Sequence, residues 1–344
     1  MTAAFLTSEL AEQPHVVERL LQRQRESIAD AAASARAAGV RHVLIAARGT
    51  SDNVARYAQH VFGRFLGLPV ALASPSLNTL YGAPPRLERT LVIGISQSGE
   101  SPDVCAVVRD ARGQGMPTVA ITNEAASPLA AASAVTIDIG AGAERSVAAT
   151  KTYTASLAAI AALTVELADE RALSDELAAV AGAMQRQIEL GTGAAADVFA
   201  GVERCVVAGR GPNYATAFEA ALKIKELTGI AAEPYSPADL MHGPVAMLGR
   251  GSPLIALAAA GPALASVLDA LREAAARGAP SIAVTDAPDA VAAGAAIVGL
   301  VSVAEWLSPL VAILPAQLLA AQLALGRGVE IDTPFGLSKV TRTV

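Results

Sequence analysis

Ser96-Gln97-Ser98-Gly99-Glu100-Ser101 sets three hydroxyls, an amide and a glycine between an apolar run at residues 91–95 and a helix-opening Pro102-Asp103. The glycine lets the backbone curl close to a ligand, and the free N–H groups at a helix start carry partial positive charge. Hydroxyls add donors without adding negative charge. Such a loop is a receptacle for an anion, and each hydrogen bond to a charged phosphate is worth roughly 1.5–3 kcal/mol. The competing reading is an ordinary polar turn between strand and helix.

Three further groups could move protons or form bonds. Glu219, Lys223 and Glu226 recur at i, i+4 and i+7, on one face of a helix spanning about residues 214–228 and stopped by Gly229. A solvated salt-bridged face is the plainer account of that spacing. His242 lies in the run Met241-His242-Gly243-Pro244, at the end of a stretch from Glu233 dense in Pro and ionisable groups that reads as a loop. Its imidazole suits general acid–base work near neutrality, or equally a structural hydrogen bond to a carbonyl. Lys339, after Leu337-Ser338, sits in a tail that would ordinarily be a frayed end.

These residues must be held by something, and short continuous apolar runs provide it. Residues 42–46, 70–73, 91–95, 118–122 and 135–139 read as parallel strands covered on both faces, with helical stretches between them. The expected fold class is α/β: an open, doubly wound, flavodoxin-like and mostly parallel sheet flanked by helices. The pattern then recurs. Arg41-His42-Val43-Leu44-Ile45-Ala46-Ala47-Arg48-Gly49 resembles Glu203-Arg204-Cys205-Val206-Val207-Ala208-Gly209-Arg210-Gly211, an offset of 162 (210 − 48). Residues 280–285 repeat residues 117–122 at an offset of 163 (285 − 122). A constant offset marks a tandem duplication. Its expected bounds are 1–175 for the first copy, 176–328 for the second and 329–344 for a tail carrying Lys339, with a helical connection near residues 170–195. The hydroxyl loop faces Ala258-Ala259-Ala260-Gly261-Pro262 in the second copy, where the glycine persists and every hydroxyl is gone. Downstream of its first strand the second copy reads as carrying a polar insertion that the first lacks.

Composition bounds the partners. Among 344 residues, 53% are hydrophobic and 3% aromatic, so the core is aliphatic and no nucleic-acid stacking surface is in view. The net charge of −6, without long runs of either sign, argues against nucleic acid and anionic membranes. The N-terminus lacks the pattern of a signal peptide, and no window reads as long and clean enough for a membrane span; residues 157–165 are a buried helix segment at most. Cys105 and Cys205 make no metal or disulfide spacing, and the four histidines are scattered, so no metal is expected and a reducing cytoplasm is.

Taken in order, Arg48-Gly49-Thr50-Ser51, Ser96-Gln97-Ser98-Gly99-Glu100-Ser101, Ala221-Leu222-Lys223-Ile224-Lys225-Glu226, Met241-His242-Gly243-Pro244 and Ser338-Lys339 resemble the sugar isomerase (SIS) family. The resemblance is to its double-SIS branch, which holds the isomerase domain of glucosamine-6-phosphate synthase and the SIS-type glucosamine-6-phosphate deaminases. It implies two tandem SIS domains, with Thr50, Ser51, Ser96, Gln97, Ser98 and Ser101 cradling the phosphate of a hexose 6-phosphate. It further implies Glu226 as the base that shuttles a proton between C1 and C2, Lys223 as its support, and His242 as the group assisting ring opening. Lys339 would sit at the open-chain carbonyl, and Val147 and Ser338 would touch the sugar. No cofactor is implied. In the relatives the histidine reaches in from a partner subunit, so a homodimer is expected.

Two departures bear on activity. Residues 1–344 pass into the first copy almost at once, so a glutaminase domain, and with it glutamine hydrolysis, is not expected of these residues. Arg48 stands where the synthase has cysteine, and Ala149 where it has serine. The expected reaction converts glucosamine 6-phosphate to fructose 6-phosphate with release of ammonia. Alternatives are the isomerase or aminotransferase component of glucosamine-6-phosphate synthesis, a deglycase or isomerase for another amino-sugar phosphate, and a non-catalytic sugar-phosphate sensor.

Overall fold

The computed structural model describes residues 5–193, 195–199, 201–287, 289, 290, 294–332, 336 and 339. Their chain contacts fall into two units, each built on one sheet. The first-sheet unit takes in Glu12–Glu144, Lys151–Ala178 and Lys339; the second-sheet unit takes in the N-terminal turns up to Ala11, Arg145–Thr150 and the described residues of Ala179–Leu337.

The chain opens with α1 (Phe5–Arg23) and α2 (Arg25–Ala37), then alternates β1 (His42–Ala46), α3 (Thr50–Leu66), β2 (Val70–Leu72), α4 (Ser76–Thr79), β3 (Thr90–Ile95), α5 (Pro102–Gly113), β4 (Thr118–Thr122), α6 (Pro128–Ala132) and β5 (Val135–Asp138). Helices α7 (Lys151–Ala168) and α8 (Arg171–Ala178) follow. The strands pair in parallel in the order β2-β1-β3-β4-β5. Every residue of β3 and β4 is buried, as their unbroken apolar runs require of strands covered on both faces. Helix α5 packs Val104, Val107, Val108 and Ala111 onto this sheet, while α2 and α3 each pack against the nearly all-buried α7. The chain reverses direction between β1 and β3. Open α/β sheets bind ligands at the carboxyl ends of the strands at such a switch point.

The second-sheet unit repeats the design with α9 (Val180–Leu190), β6 (Arg204–Ala208), α10 (Asn213–Thr228), β7 (Ala231–Tyr235), α11 (Pro237–Met241), β8 (Leu254–Ala258), α12 (Leu264–Ala276), β9 (Ser281–Thr285), β10 (Ala296–Gly299) and α13 (Ser308–Gly326). Its parallel order, β10-β9-β8-β6-β7, is the same topology, with the switch point between β6 and β8. The duplicated α/β fold and the helical connection near residues 170–195 are as the repeat implies.

Three expectations need correction. The polar stretch after β6 is no insertion: α10, β7 and α11 stand about 162 residues beyond α3, β2 and α4, so over this stretch the second copy keeps the same elements and differs in side chains. The supposed loop from Glu233 is partly regular, because residues 231–235 form β7 and residues 237–241 a helical turn capped by the Ser236 hydroxyl. Pro234 is tolerated because β7 is an edge strand, where a missing N–H removes no ladder bond on the open side. Finally, Glu305–Gly326 is, among the described residues, long and apolar enough to cross a membrane by length and composition. Its apolar window is already 78% buried, with α9 and α10 packed against α13. Residues 157–165 do lie within the buried helix α7.

Candidate functional site

Both loops at the first switch point carry the expected donors. Strands β1 and β3 run level, Ala46 opposite Gly94, so the segments Ala47–Gly49 and Ser96–Ser101 leave the sheet side by side. The first turns directly into α3, with Thr50 and Ser51 in its opening turn and Gly49 as N-cap in a positive-φ conformation. The second caps α5, with Ser101 at the N-cap in extended conformation and Pro102 at the first helical position. The loop is set by its own bonds. Ser96 Oγ accepts from the Gly99 N–H at 3.1 Å and lies 3.2 Å from Ser101 Oγ, while the Glu100 N–H donates to Ser98 Oγ at 3.3 Å. Gly99 has φ +63°, and a Cβ there would fall 2.1 Å from Ser127 Oγ. Only glycine meets both demands. Gln97 is fixed through its carbonyl, which accepts from the Asn123 N–H and the Thr122 hydroxyl. The result is a fixed cluster of hydroxyl and amide groups at two helix N-termini, an arrangement that favours an anion.

A charged pair stands beside it. Asp103, second residue of α5, has a fully buried carboxylate: Oδ1 accepts from the Val104 N–H at 2.8 Å and Oδ2 from Arg48 Nε at 2.7 Å. Cys105 lies in the same turn, its thiol 3.6 Å from the Gly99 carbonyl, and burial pushes that thiol's pKa up.

The face of α10 is not a solvated salt-bridge row. Glu219 and Lys223 are buried; Lys223 Nζ lies 3.4 Å from Glu219 Oε1 and 2.5 Å from Glu226 Oε2. Glu226 keeps 25% of its side chain exposed. A buried ammonium shared by two carboxylates fixes both, and the outer one is left facing accessible space with its rotamer set. The helix ends as expected, Gly229 taking the left-handed conformation with its N–H on the Lys225 carbonyl. His242 follows α11 with an exposed ring, and its Nδ1 donates to the Ala238 carbonyl at 2.7 Å. That bond assigns the proton to Nδ1 and turns Nε2 outward as the basic nitrogen.

Lys339 belongs to the first-sheet unit, and it is held. Its Nζ lies 2.8 Å from Glu144 Oε2, and Glu144 also accepts from the Thr152 N–H and hydroxyl at the start of α7. Val147 belongs to the second-sheet unit, its N–H donating to the Asp332 carbonyl at 3.1 Å. Ser338 lies outside the described residues.

Spacing gave no hint of Asp103 or Glu144, nor of what fills the second copy's loop. There the Ala260 N–H donates to Asp286 Oδ1 at 2.7 Å and the Ala263 N–H to Glu305 Oε1 at 3.1 Å. A Cβ on Gly261 would fall 2.6 Å from the Glu305 carboxyl carbon. The second cradle is occupied by the protein's own acids. The first has Asn123 where the repeat places Asp286, and Ala143 opposite Glu305.

Comparison with known proteins agrees with this architecture. Glutamine–fructose-6-phosphate aminotransferase (isomerizing) of Gloeobacter violaceus is 35% identical over 357 residues, covering 97% of this chain and 58% of that protein. The chain therefore spans less than two thirds of that relative's length. Among solved structures, one classed with the phosphosugar isomerases, from Silicibacter pomeroyi DSS-3, superposes with a TM-score of 0.89 at 36% identity, covering 96% of this chain and 99% of that one. The C-terminal domain of glucosamine-fructose-6-phosphate aminotransferase from Francisella tularensis gives 0.84 at 28% identity, covering 96% and 98%. Residues 38–166 and 199–327 each match the SIS domain, and on those two matches the chain belongs to the SIS domain family.

Proposed function

We propose that this chain is a phosphosugar aldose–ketose isomerase that takes glucosamine 6-phosphate to fructose 6-phosphate and ammonia. The observation that carries the proposal is the Glu219–Lys223–Glu226 cluster, in which a buried cation presents one carboxylate at a fixed rotamer to accessible space. Isomerisation needs one base that removes the C2 proton and returns it to C1. Glu226 has that role. His242 Nε2, freed by the Nδ1 bond, takes the proton of the anomeric hydroxyl and delivers it to the ring oxygen as the C1–O5 bond breaks and the hemiacetal opens. Proton transfer leaves an imine at C2. The Lys339 amine displaces ammonia from that carbon, and water then releases the ketose and restores the lysine. Thr50, Ser51, Ser96, Gln97, Ser98 and Ser101 hold the phosphate, whose remote binding orients the reacting carbons. Val147 and Ser338 complete the sugar contacts, and His242 is supplied by the second copy of a homodimer.

A second reading follows from the aminotransferase names of the relatives: the same residues run in the aminating direction, with ammonia from a separate source. One experiment addresses both. Purified protein is incubated with glucosamine 6-phosphate, galactosamine 6-phosphate or a fructosamine 6-phosphate, and ammonia and fructose 6-phosphate are measured; the reverse arm supplies fructose 6-phosphate and ammonium. Turnover of the first substrate, abolished in Glu226→Gln, supports the deaminase. Turnover only in the reverse arm supports the aminating reading, and binding without turnover in any arm overturns both.

A further inference from the structure

We infer that Arg48 is a phosphate ligand of the first switch-point cradle and that Asp103 is the positioning residue that aims it. The inference rests on the phosphate reading of the Ser96–Ser101 loop and adds the one charge that loop lacks. Neutral hydroxyls and amides can orient a phosphoryl group, but a guanidinium contact is charge-assisted and matches two phosphoryl oxygens at once.

Placement comes first. Ala46 and Gly94 are register partners in adjacent parallel strands, so Arg48 and Ser96, each two residues further on, leave the sheet at the same level. The guanidinium is then pinned by Nε to Asp103 Oδ2 at 2.7 Å. Asp103 belongs to the first turn of α5, the turn that Ser101 caps, so the anchor ties the arginine to the rim of the loop. The Asp103 side chain is 1% exposed and that of Arg48 53%. Nε is spent on the anchor, while the Nη1 and Nη2 groups of Arg48 make no hydrogen bond or ion pair among the described residues. A fork held at its base with its outer edge open is the geometry of an oxyanion clamp.

The plain alternative is that Arg48 exists to neutralise a buried carboxylate. Asp103 already has the Val104 N–H on Oδ1 and a helix N-terminus beneath it. The second copy offers an internal control. It keeps the arginine, as exposed Arg210, but has Ala265 at the place of Asp103, and its loop is filled by Asp286 and Glu305. The arginine with a carboxylate anchor occurs with the hydroxyl loop, and the one without such an anchor among the described residues occurs with the filled loop. An aspartate serving stability alone would have no reason to follow the hydroxyls.

The test measures inorganic phosphate binding by calorimetry at low and moderate salt, and KM for glucosamine 6-phosphate, in the full chain and in Arg48→Gln, Asp103→Asn, the double variant and Ser98→Ala. Arg48→Gln is expected to weaken phosphate binding about 10–100-fold, to flatten its salt dependence and to raise KM more than it lowers kcat. Asp103→Asn is expected to weaken it less. The double variant removes both charges, so its Tm is expected to stay near that of the native chain while its phosphate affinity stays low. Native-like phosphate affinity in the double variant overturns the inference. Weak binding in Ser98→Ala with native binding in Arg48→Gln overturns the arginine role alone and leaves the cradle standing. No phosphate binding by the native chain overturns both.

Discussion

Glu144 holds Lys339: the buried carboxylate at the start of α7 receives the tail ammonium at 2.8 Å and two donors from Thr152. A lysine far along the chain thereby gains a fixed address, its amine held against one carboxylate oxygen. Glu144→Gln keeps the shape and removes the charge. Because a charge-assisted bond contributes roughly 1.5–3 kcal/mol, the variant should hold the lysine about 10–100-fold less well. Borohydride trapping of a fructose 6-phosphate adduct on Lys339, read by mass spectrometry, should fall accordingly while Tm changes little. Undiminished trapping would count against Glu144 as the positioning residue.

Gly99 tolerates no side chain. Gly99→Ala must accept a positive φ and a 2.1 Å clash with Ser127 Oγ, a combination worth about 1–3 kcal/mol of strain. We expect a lower Tm and loss of phosphate binding together. Adding Ser127→Gly should recover part of the Tm but not the φ penalty.

If His242 works across a dimer interface, two dead variants should rescue each other. Glu226→Gln and His242→Gln, mixed after dissociation and reassociation, form hybrids with one intact pair of groups. Random pairing of a two-fold dimer then gives about a quarter of the native activity. Activity no greater than the sum of the separate variants would place both groups on one subunit.

Alkali should loosen the fold through its buried thiols. Burial pushes Cys205 up to about 12, and it also raises Cys105 and the Tyr57 hydroxyl. An unfolded thiol ionises near pH 8.5. Above that value the unfolded chain has lost a proton that the folded chain keeps. The contribution of Cys205 is therefore complete below about pH 8.5 and declines toward pH 12, by up to about 1.4 kcal/mol per pH unit, with Cys105 acting in the same direction. Urea midpoints taken between pH 8 and 11 should follow that slope, and Cys205→Ala should flatten it.

Glu305 closes the second loop, so its loss should appear as instability rather than as lost activity. Glu305→Ala leaves the Ala263 N–H without its carboxylate at the start of α12, a loss of about 0.5–2 kcal/mol by analogy with helix caps. Denaturant midpoints measure it, and kcat should stay within about twofold, because surface and cap changes remote from a site act mainly on stability.

How much of this is legible in the sequence depends on range. The strands are, because parallel strands buried on both faces read as unbroken apolar runs, and β1 and β4 fall on their expected residues. The hydroxyl loop and the face of α10 are, because each is a local pattern. What escapes is contact between residues distant in the chain. Nothing in the spacing joins Arg48 to Asp103 or Lys339 to Glu144, and periodicity cannot tell that α13 covers α10 and so buries Glu219 and Lys223. The strand β7 escapes for a different reason. Pro234 argues against a central strand, and only the sheet order reveals that this one lies at an edge. The mistaken insertion arises because charge and proline content changed between the copies while backbone geometry did not.

Gene duplication ordinarily doubles the number of ligands a fold can carry. Here Asp286 and Glu305 fill the second loop with resident carboxylates, so on the proposed reading the duplicated fold offers one phosphoryl seat per chain instead of two.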